Sequence, residues 1–201
     1  MKKISYDFHL HSCLSPCGSD DMTPANIAGM AAVIGLEAIA LTDHNTCRNC
    51  PAVMKAAAGY GITVIPGMEL CTSEEVHVLC FFPGLEQALD FDRFVYDKLP
   101  PVNNDPYLFG NQILYNDRDE PCGTLEKLLI SAAFLSFSEL PQILEPYEGI
   151  MIPAHIDKNS KKCRFLTSSD AHYLNDINEP VNFIETKENT LASVFETLKN
   201  P

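Results

Sequence analysis

The chain has 201 residues, with 14 Lys plus Arg against 27 Asp plus Glu, for a formal charge of −13. That length supports one domain with its own core. So acidic a balance argues against broad, nonspecific binding to nucleic acid or membrane, which needs basic surface, but not against an anionic substrate met by bound cations.

Residues 4–10 read as a strand running into His9-Leu10-His11. Side chains alternate along a strand, so two histidines two apart share a face and offer two imidazoles to one metal ion. Residues 12–21 hold Pro, Gly, Ser and Asp and read as loop. Thr23-Pro24 opens a helix, with Thr as cap and Pro in the first turn. Ile27, Met30, Ala31 and Ile34 share its apolar face, and Gly35 ends it. Residues 37–42 form a buried-type strand that stops at Asp43-His44-Asn45. A helix follows over 51–60, stopped by Gly61, then an apolar strand over 62–66 ending at Gly67-Met68-Glu69. A strand over 76–82 carries His77 near its start.

From 86 to 149 the alternation stops. Helices are expected over 86–99, 125–134 and 137–144, with an irregular Asn- and Pro-rich stretch over 100–119. This makes 86–149 an inserted helical cap, carried by a barrel domain formed from 1–85 and 150–201. Strands resume over 150–154, ending at His155, over 165–168, ending at Ser169-Asp170-Ala171-His172, and over 181–184. A terminal helix over 190–198 puts Leu191, Val194, Phe195 and Leu198 on one face. Seven short apolar strands with helices between several of them point to a parallel sheet covered on both faces, as a βα barrel or an open doubly wound sheet.

No signal peptide is expected, because Asp7, His9 and His11 interrupt the N-terminal segment, and no stretch approaches the length of a membrane span. A cytoplasmic protein is the expectation. The eight cysteines then read as reduced thiols. Cys47-x-x-Cys50 with Cys13 and Cys17 has a second reading, a four-thiolate zinc or iron–sulfur site.

The six histidines, His9, His11, His44, His77, His155 and His172, all fall at or near strand ends, as do Glu69 and Asp170. In parallel βα folds such ends converge on one rim, where catalytic groups sit. A lone histidine beside a strand is more often a hydrogen-bonded core residue; six in equivalent places point to metal. Imidazoles with carboxylates suit Zn²⁺, Mn²⁺ or Fe²⁺, and so many ligands call for two or three ions.

His9-Leu10-His11-Ser12, Leu41-Thr42-Asp43-His44, Gly67-Met68-Glu69, Val76-His77-Val78, Pro153-Ala154-His155 and Ser168-Ser169-Asp170-Ala171-His172 resemble, in order, the motifs of the PHP (polymerase and histidinol phosphatase) family. The likeness is greatest to its stand-alone metal-dependent phosphoesterases. It implies an α/β fold, a distorted, TIM-like (β/α)7 barrel, with a trinuclear metal centre that hydrolyses phosphate esters. By that resemblance His9, His11, Glu69 and Asp170 hold one ion. Glu69 bridges to a second with His77 and His155. A third takes His44, His172 and a residue from the loop after His11. There the chain departs from the family's Ser-Asp-Gly, reading Ser15-Pro16-Cys17-Gly18-Ser19-Asp20-Asp21. Asp20 is the expected ligand, with Asp21 and Cys17 as alternatives.

The chemistry implied is attack by a metal-bound hydroxide at a di- or trinuclear site. The substrate class is a phosphorylated small metabolite, a nucleotide or a short oligonucleotide, with no extended nucleic-acid surface. Asp43 is expected to orient His44 rather than bind metal. Arg48 is the expected phosphate-binding residue, while Lys158, Lys161, Lys162 and Arg164 read as a solvated loop. Asn45 and Asn49 are equally substrate-facing groups or turn formers. Two competing functions stand beside this one: a metal-dependent hydrolase of another bond type, and a non-catalytic metal-binding regulatory module.

Overall fold

The computed structural model describes residues 1–154 and 166–200. The chain opens with β1 (Lys2–Leu10), α1 (Pro24–Ile34), β2 (Ala38–Leu41), α2 (Cys50–Ala58) and β3 (Thr63–Cys71), and the three strands run parallel. α1 is bounded as its sequence dictates. The Thr23 side chain accepts the Asn26 N–H at 3.2 Å, and Gly35 closes the helix in the left-handed region at φ 84°.

β4 (His77–Phe81) runs antiparallel to β3. Residues 72–76 are too few for a parallel crossover, which takes a dozen residues or more, so the chain can only turn back. Next come α3 (Leu85–Lys98), the short α4 (Pro106–Phe109), the hairpin of β5 (Ile113–Tyr115) and β6 (Pro121–Thr124), and α5 (Leu140–Leu144). β7 (Ile150–Pro153) pairs antiparallel with β4, and Phe81 stands opposite Ile150. β8 (Phe183–Thr186) pairs antiparallel with β1 and leads to α6 (Leu191–Lys199). The main sheet has the order β7-β4-β3-β2-β1-β8. It is a curled, mixed sheet in an α/β fold, not the uniformly parallel one expected.

The sheet separates two cores. Leu10, Ile27, Val53 and Phe91 lie in the one facing α1, α2 and α3. Ile4, Phe8, Phe81, Val194 and Phe195 lie in the other, against α6. Phe8 and Leu10 belong to different cores although two residues apart, because the β1–β2 register shifts between Asp7 and Leu10. Such a bulge inserts one residue and re-aims the side chains beyond it.

Several local expectations fail: the β5–β6 hairpin lies in the segment expected to be a helical cap, and the last strand begins at Phe183 rather than at 181. Residues 125–134 are not helical, and of 137–144 only Leu140–Leu144 is α-helix. The apolar spacing of 125–134 serves the core instead. Leu125, Leu129 and Ala133 are buried, while the backbone polar groups find distant partners. Gln112 bonds the Leu125 and Lys127 carbonyls and the Leu129 N–H, and Asn45 bonds the Leu129 and Ser131 carbonyls. Residues 166–168, the described part of the strand expected over 165–168, form no strand; they run beside β1 through Phe8 N–H to Ser168 Oγ, 3.0 Å. Among the described residues no helix is long and apolar enough to cross a membrane.

Candidate metal centre

The parallel ends of β1, β2 and β3 meet at one rim, and β4 adds its beginning there because it runs the other way. His9 lies in β1, and His11 just beyond it. His44 follows β2 and forms an isolated bridge with Glu69. Glu69 lies inside β3, which continues to Cys71, rather than after its strand. Glu69 pairs with Leu79 and Cys71 with His77, so Glu69 and His77 are diagonal neighbours on one face. The segment after residue 166 returns beside β1, where the His11 N–H donates to the Ala171 carbonyl at 3.0 Å. Asp170 adopts φ 58°, a left-handed backbone that Asp tolerates better than most residues.

Around this rim His9 Nε2 and His11 Nε2 stand 3.1 Å apart. Asp170 Oδ1 is 3.1 Å from the first and 3.2 Å from the second. Glu69 Oε2 is 3.2 Å from His9 Nε2, 3.3 Å from His11 Nε2 and 3.2 Å from His44 Nδ1, while Glu69 Oε1 is 3.0 Å from His77 Nδ1. His172 stacks on His11 with ring centroids 4.2 Å apart. Donors sharing one ion at bond lengths of about 2.0–2.2 Å stand about 3.0–3.5 Å from each other, so these atoms fit a common cation. Among the described residues His44 Nδ1 is a buried nitrogen with no hydrogen-bond partner, which suits a ligand position. Three groups of donors result: His9, His11, Glu69 and Asp170; His44, Glu69 and His77; and His11, His44 and His172.

The protonation states are set by the packing. Burial pulls His11 down, but its bonds to Asp170 and Glu69 outweigh it and hold the imidazole up at about 9. His77 is pushed up to about 10 by bonds to Cys71 and Glu69. Burial drives His44 well below its ordinary value, and the nearby His11 adds to this. Burial pulls Asp170 up, but His11 and His9 bring it below the usual carboxylate range. Burial and His11 lower His172.

Several expected residues stand elsewhere. Asp20 is exposed and accepts from Asn111 Nδ2 at 2.7 Å; neither it, Asp21 nor Cys17 joins a donor group. Beyond the buried Ser15 and Pro16 the loop turns outward, with Cys17, Asp20 and Asp21 exposed, so the third-site carboxylate expected of it is not supplied among the described residues. Arg48 does not join the cluster either: its guanidinium bonds Asp92 at 2.8 Å and lies over Tyr96 at 4.4 Å. Asp92 also takes Thr46 Oγ1 and the Cys47 N–H, which ties α3 to the His44 loop. Asn45 and Asn49 are wholly buried and serve the backbone. The four-thiolate reading fails among the described residues, since no donor group contains a cysteine and Cys47 and Cys50 both turn to the Gly67 carbonyl. His155, Lys158, Lys161, Lys162 and Arg164 lie outside the described residues.

Asp43 does not engage the His44 ring. Its carboxylate accepts from the Ser12 N–H, Ser12 Oγ and Ser15 Oγ, each at 2.7 Å. Ser15 Oγ in turn faces His11 Nδ1 at 3.0 Å and the His44 N–H at 3.1 Å. Burial pushes the Asp43 carboxyl up against these bonds. Ser12 and Ser15 were not singled out from the sequence; the available signal was a Ser-x-x-Ser directly after the second histidine.

A curled α/β sheet whose rim gathers imidazoles and carboxylates within ligand distance of one another defines a candidate metal-binding α/β protein. The chain belongs to the PHP domain family, whose model matches residues 7–175. It is 34% identical over 76 residues to the uncharacterized protein MJ1587 of Methanocaldococcus jannaschii, covering 34% of this chain and 44% of that protein. The fold is similar to that of the lesion-specific endonuclease PfuEndoQ of Pyrococcus furiosus, with TM-score 0.65, 19% identity, and 96% of this chain and 55% of that one covered. An endonuclease Q complex with a 27-mer duplex carrying an abasic lesion at its active site gives 0.66 and 19%, covering 98% and 57%. A candidate metal-dependent phosphoesterase of Bifidobacterium adolescentis gives 0.53 and 19%, covering 82% and 71%. The chain thus spans about half the length of MJ1587 and of the endonuclease Q chains.

Proposed function

We propose that this protein is a metal-dependent phosphoester hydrolase whose Zn²⁺, Mn²⁺ or Fe²⁺ ions are held by His9, His11, His44, Glu69, His77, Asp170 and, beyond the described residues, His155. The observation that carries this is the set of imidazole and carboxylate atoms 3.0–3.3 Å apart at the strand rim. Bound divalent ions supply an activated water and neutralise the phosphoryl oxygens, so no protein nucleophile is needed. The chain's own work is to fix the donors: Glu69 faces both donor groups, with Oε2 toward His9, His11 and His44 and Oε1 toward His77, and Asp43 holds the Ser12–Ser15 turn under His11. Residues 86–149 act as a cap on a barrel built from 1–85 and 150–201. Backbone bonds from Ala133 N–H to the Cys71 carbonyl and from Ser73 N–H to the Leu135 carbonyl bring that segment to the rim.

The substrate is a nucleotide ester or short oligonucleotide, in keeping with an acidic surface and a cation-lined site. A second reading, structured DNA, is favoured by the fold likeness to endonuclease Q. The test is phosphate release or strand cleavage across monoesters, diesters, mononucleotides, short oligonucleotides and an abasic duplex, before and after chelation. Chelation should abolish turnover, and Mn²⁺ or Zn²⁺ should restore it. Turnover that survives complete metal removal overturns the proposal.

A further inference from the structure

The three donor groups share residues, and the hydrogen bonds decide how they divide. Asp43 oxygens can only accept while ionised, and they take the single Ser15 hydroxyl proton at 2.7 Å. Ser15 Oγ is left with lone pairs, so the His11 Nδ1 it faces at 3.0 Å must be the protonated nitrogen. His11 therefore has one ligand atom, Nε2, and that atom already lies 3.2 Å from Asp170 and 3.3 Å from Glu69. A neutral imidazole serves one ion, because serving two requires loss of both ring protons.

His11 is thus removed from the His11–His44–His172 group. His44 is drawn off as well, since its unpartnered Nδ1 faces Glu69 at 3.2 Å in the group shared with His77. His172 remains. Its Nδ1 donates to the Asp170 carbonyl at 2.8 Å, leaving a single nitrogen with no carboxylate left to it among the described residues, because Asp170 and Glu69 belong to the other groups and Asp20 is turned out to Asn111.

From this geometry we infer that the protein binds two ions rather than three, and that Ser15, held by Asp43, is the positioning residue that commits His11 to the first of them. His172 packs on His11 without being a ligand. The inference deepens the proposed metal-dependent hydrolysis and rests on the same cluster. Its test needs no substrate, so a two-ion protein without esterase activity would sink the function alone, and an active three-ion protein would sink this inference alone.

The test is equilibrium dialysis of the whole chain against Mn²⁺ or Zn²⁺, with metal counted by mass spectrometry, followed by chelator competition. The expected count is two ions per chain. His172→Asn should keep both, with unchanged affinities. Ser15→Ala should weaken the first ion about 10- to 100-fold, the usual effect of losing a group that orients a ligating histidine. Ser15→Thr, which restores the hydroxyl, should recover it. Circular dichroism of the chelated variants separates misfolding from lost positioning, and the His172→Asn count stands on its own if Ser15→Ala does not fold. Three ions on the parent chain, an ion lost from His172→Asn, or a folded Ser15→Ala with parental affinity would each overturn the inference.

Discussion

Glu69→Gln tests the centre at its most shared residue. The Glu69 carboxylate is 1% exposed and faces imidazole nitrogens of His9, His11, His44 and His77 at 3.0–3.3 Å. Gln keeps the shape and one oxygen but removes the charge. A unit charge pair at such a distance is worth about 5 kcal/mol at an effective permittivity near 20. Asp170 and the remaining nitrogens offset part of this, so about 3 kcal/mol per ion should be lost, about a hundredfold in dissociation constant. Because Oε2 faces His9, His11 and His44 and Oε1 faces His77, Glu69 belongs to both donor groups and both ions should weaken together. Asp170→Asn, whose Oδ1 lies between His9 and His11, should weaken one. The assay is competition against a chelating fluorophore, with circular dichroism to confirm the fold. A folded Glu69→Gln protein that binds both ions with parental affinity would refute the assignment of Glu69 as the shared ligand.

In the metal-free protein His11 is held at about 9 and His77 at about 10, both above the ordinary value near 6.5. Their stabilisation is complete below about pH 6.5 and is lost as pH rises through 9 and 10. Metal uptake at pH 7 must expel those protons, so apparent affinity should climb from neutrality and level off by about pH 10. Calorimetry in two buffers of different ionisation heat reads the release, and identical heats would contradict it. Gly67→Ala would place a Cβ 2.7 Å from the Cys80 carbonyl oxygen and 2.9 Å from the Phe81 ring, both in β4. It should cost about 1–3 kcal/mol in urea unfolding, and a neutral result would show that the strands can part. Asp92→Ala strands the Thr46 hydroxyl, the Cys47 N–H and Arg48. A loss of about 3–5 kcal/mol is expected by the same measurement, and a change below about 1 kcal/mol would make that network incidental.

Part of the candidate centre was legible because His11 and His44 come just after strands, and a strand end is written in the local sequence. His9, His11 and His44 could be placed on one rim without knowing the strand order, whereas Asp170 arrives there on a segment whose described residues 166–168 form no strand. His77 fits for a reason the sequence showed only indirectly, in the five residues that force β4 to turn back. Arg48 was misplaced because nothing local announces Asp92 or Tyr96, which lie on α3, in a different element. The same holds for 125–134. Its helical spacing is real, but Gln112 and Asn45 supply the backbone bonds that a helix would otherwise have made, and such partners are visible only in three dimensions. Asp20 shows the converse, a residue carried over by resemblance onto a loop whose turns were unknown.

The pairing of Phe81 with Ile150 bears on how this protein can change. The chain departs from the sheet and rejoins it at the same rung, so to the sheet everything between is one long hairpin turn. Closing a longer loop adds only about 0.6 kcal/mol for each doubling of its length. The register that sets His77 beside Glu69 is therefore nearly indifferent to how much chain hangs from that rung. What must persist is a footprint: Phe91, Val95, Leu129 and Leu140 plug the core that faces α1, α2 and α3 and have to be replaced by something of equal volume. A segment that leaves and rejoins the sheet at one rung can change in length without shifting that register, provided the bonds that tie it to Cys71, Ser73 and Asn45 are kept.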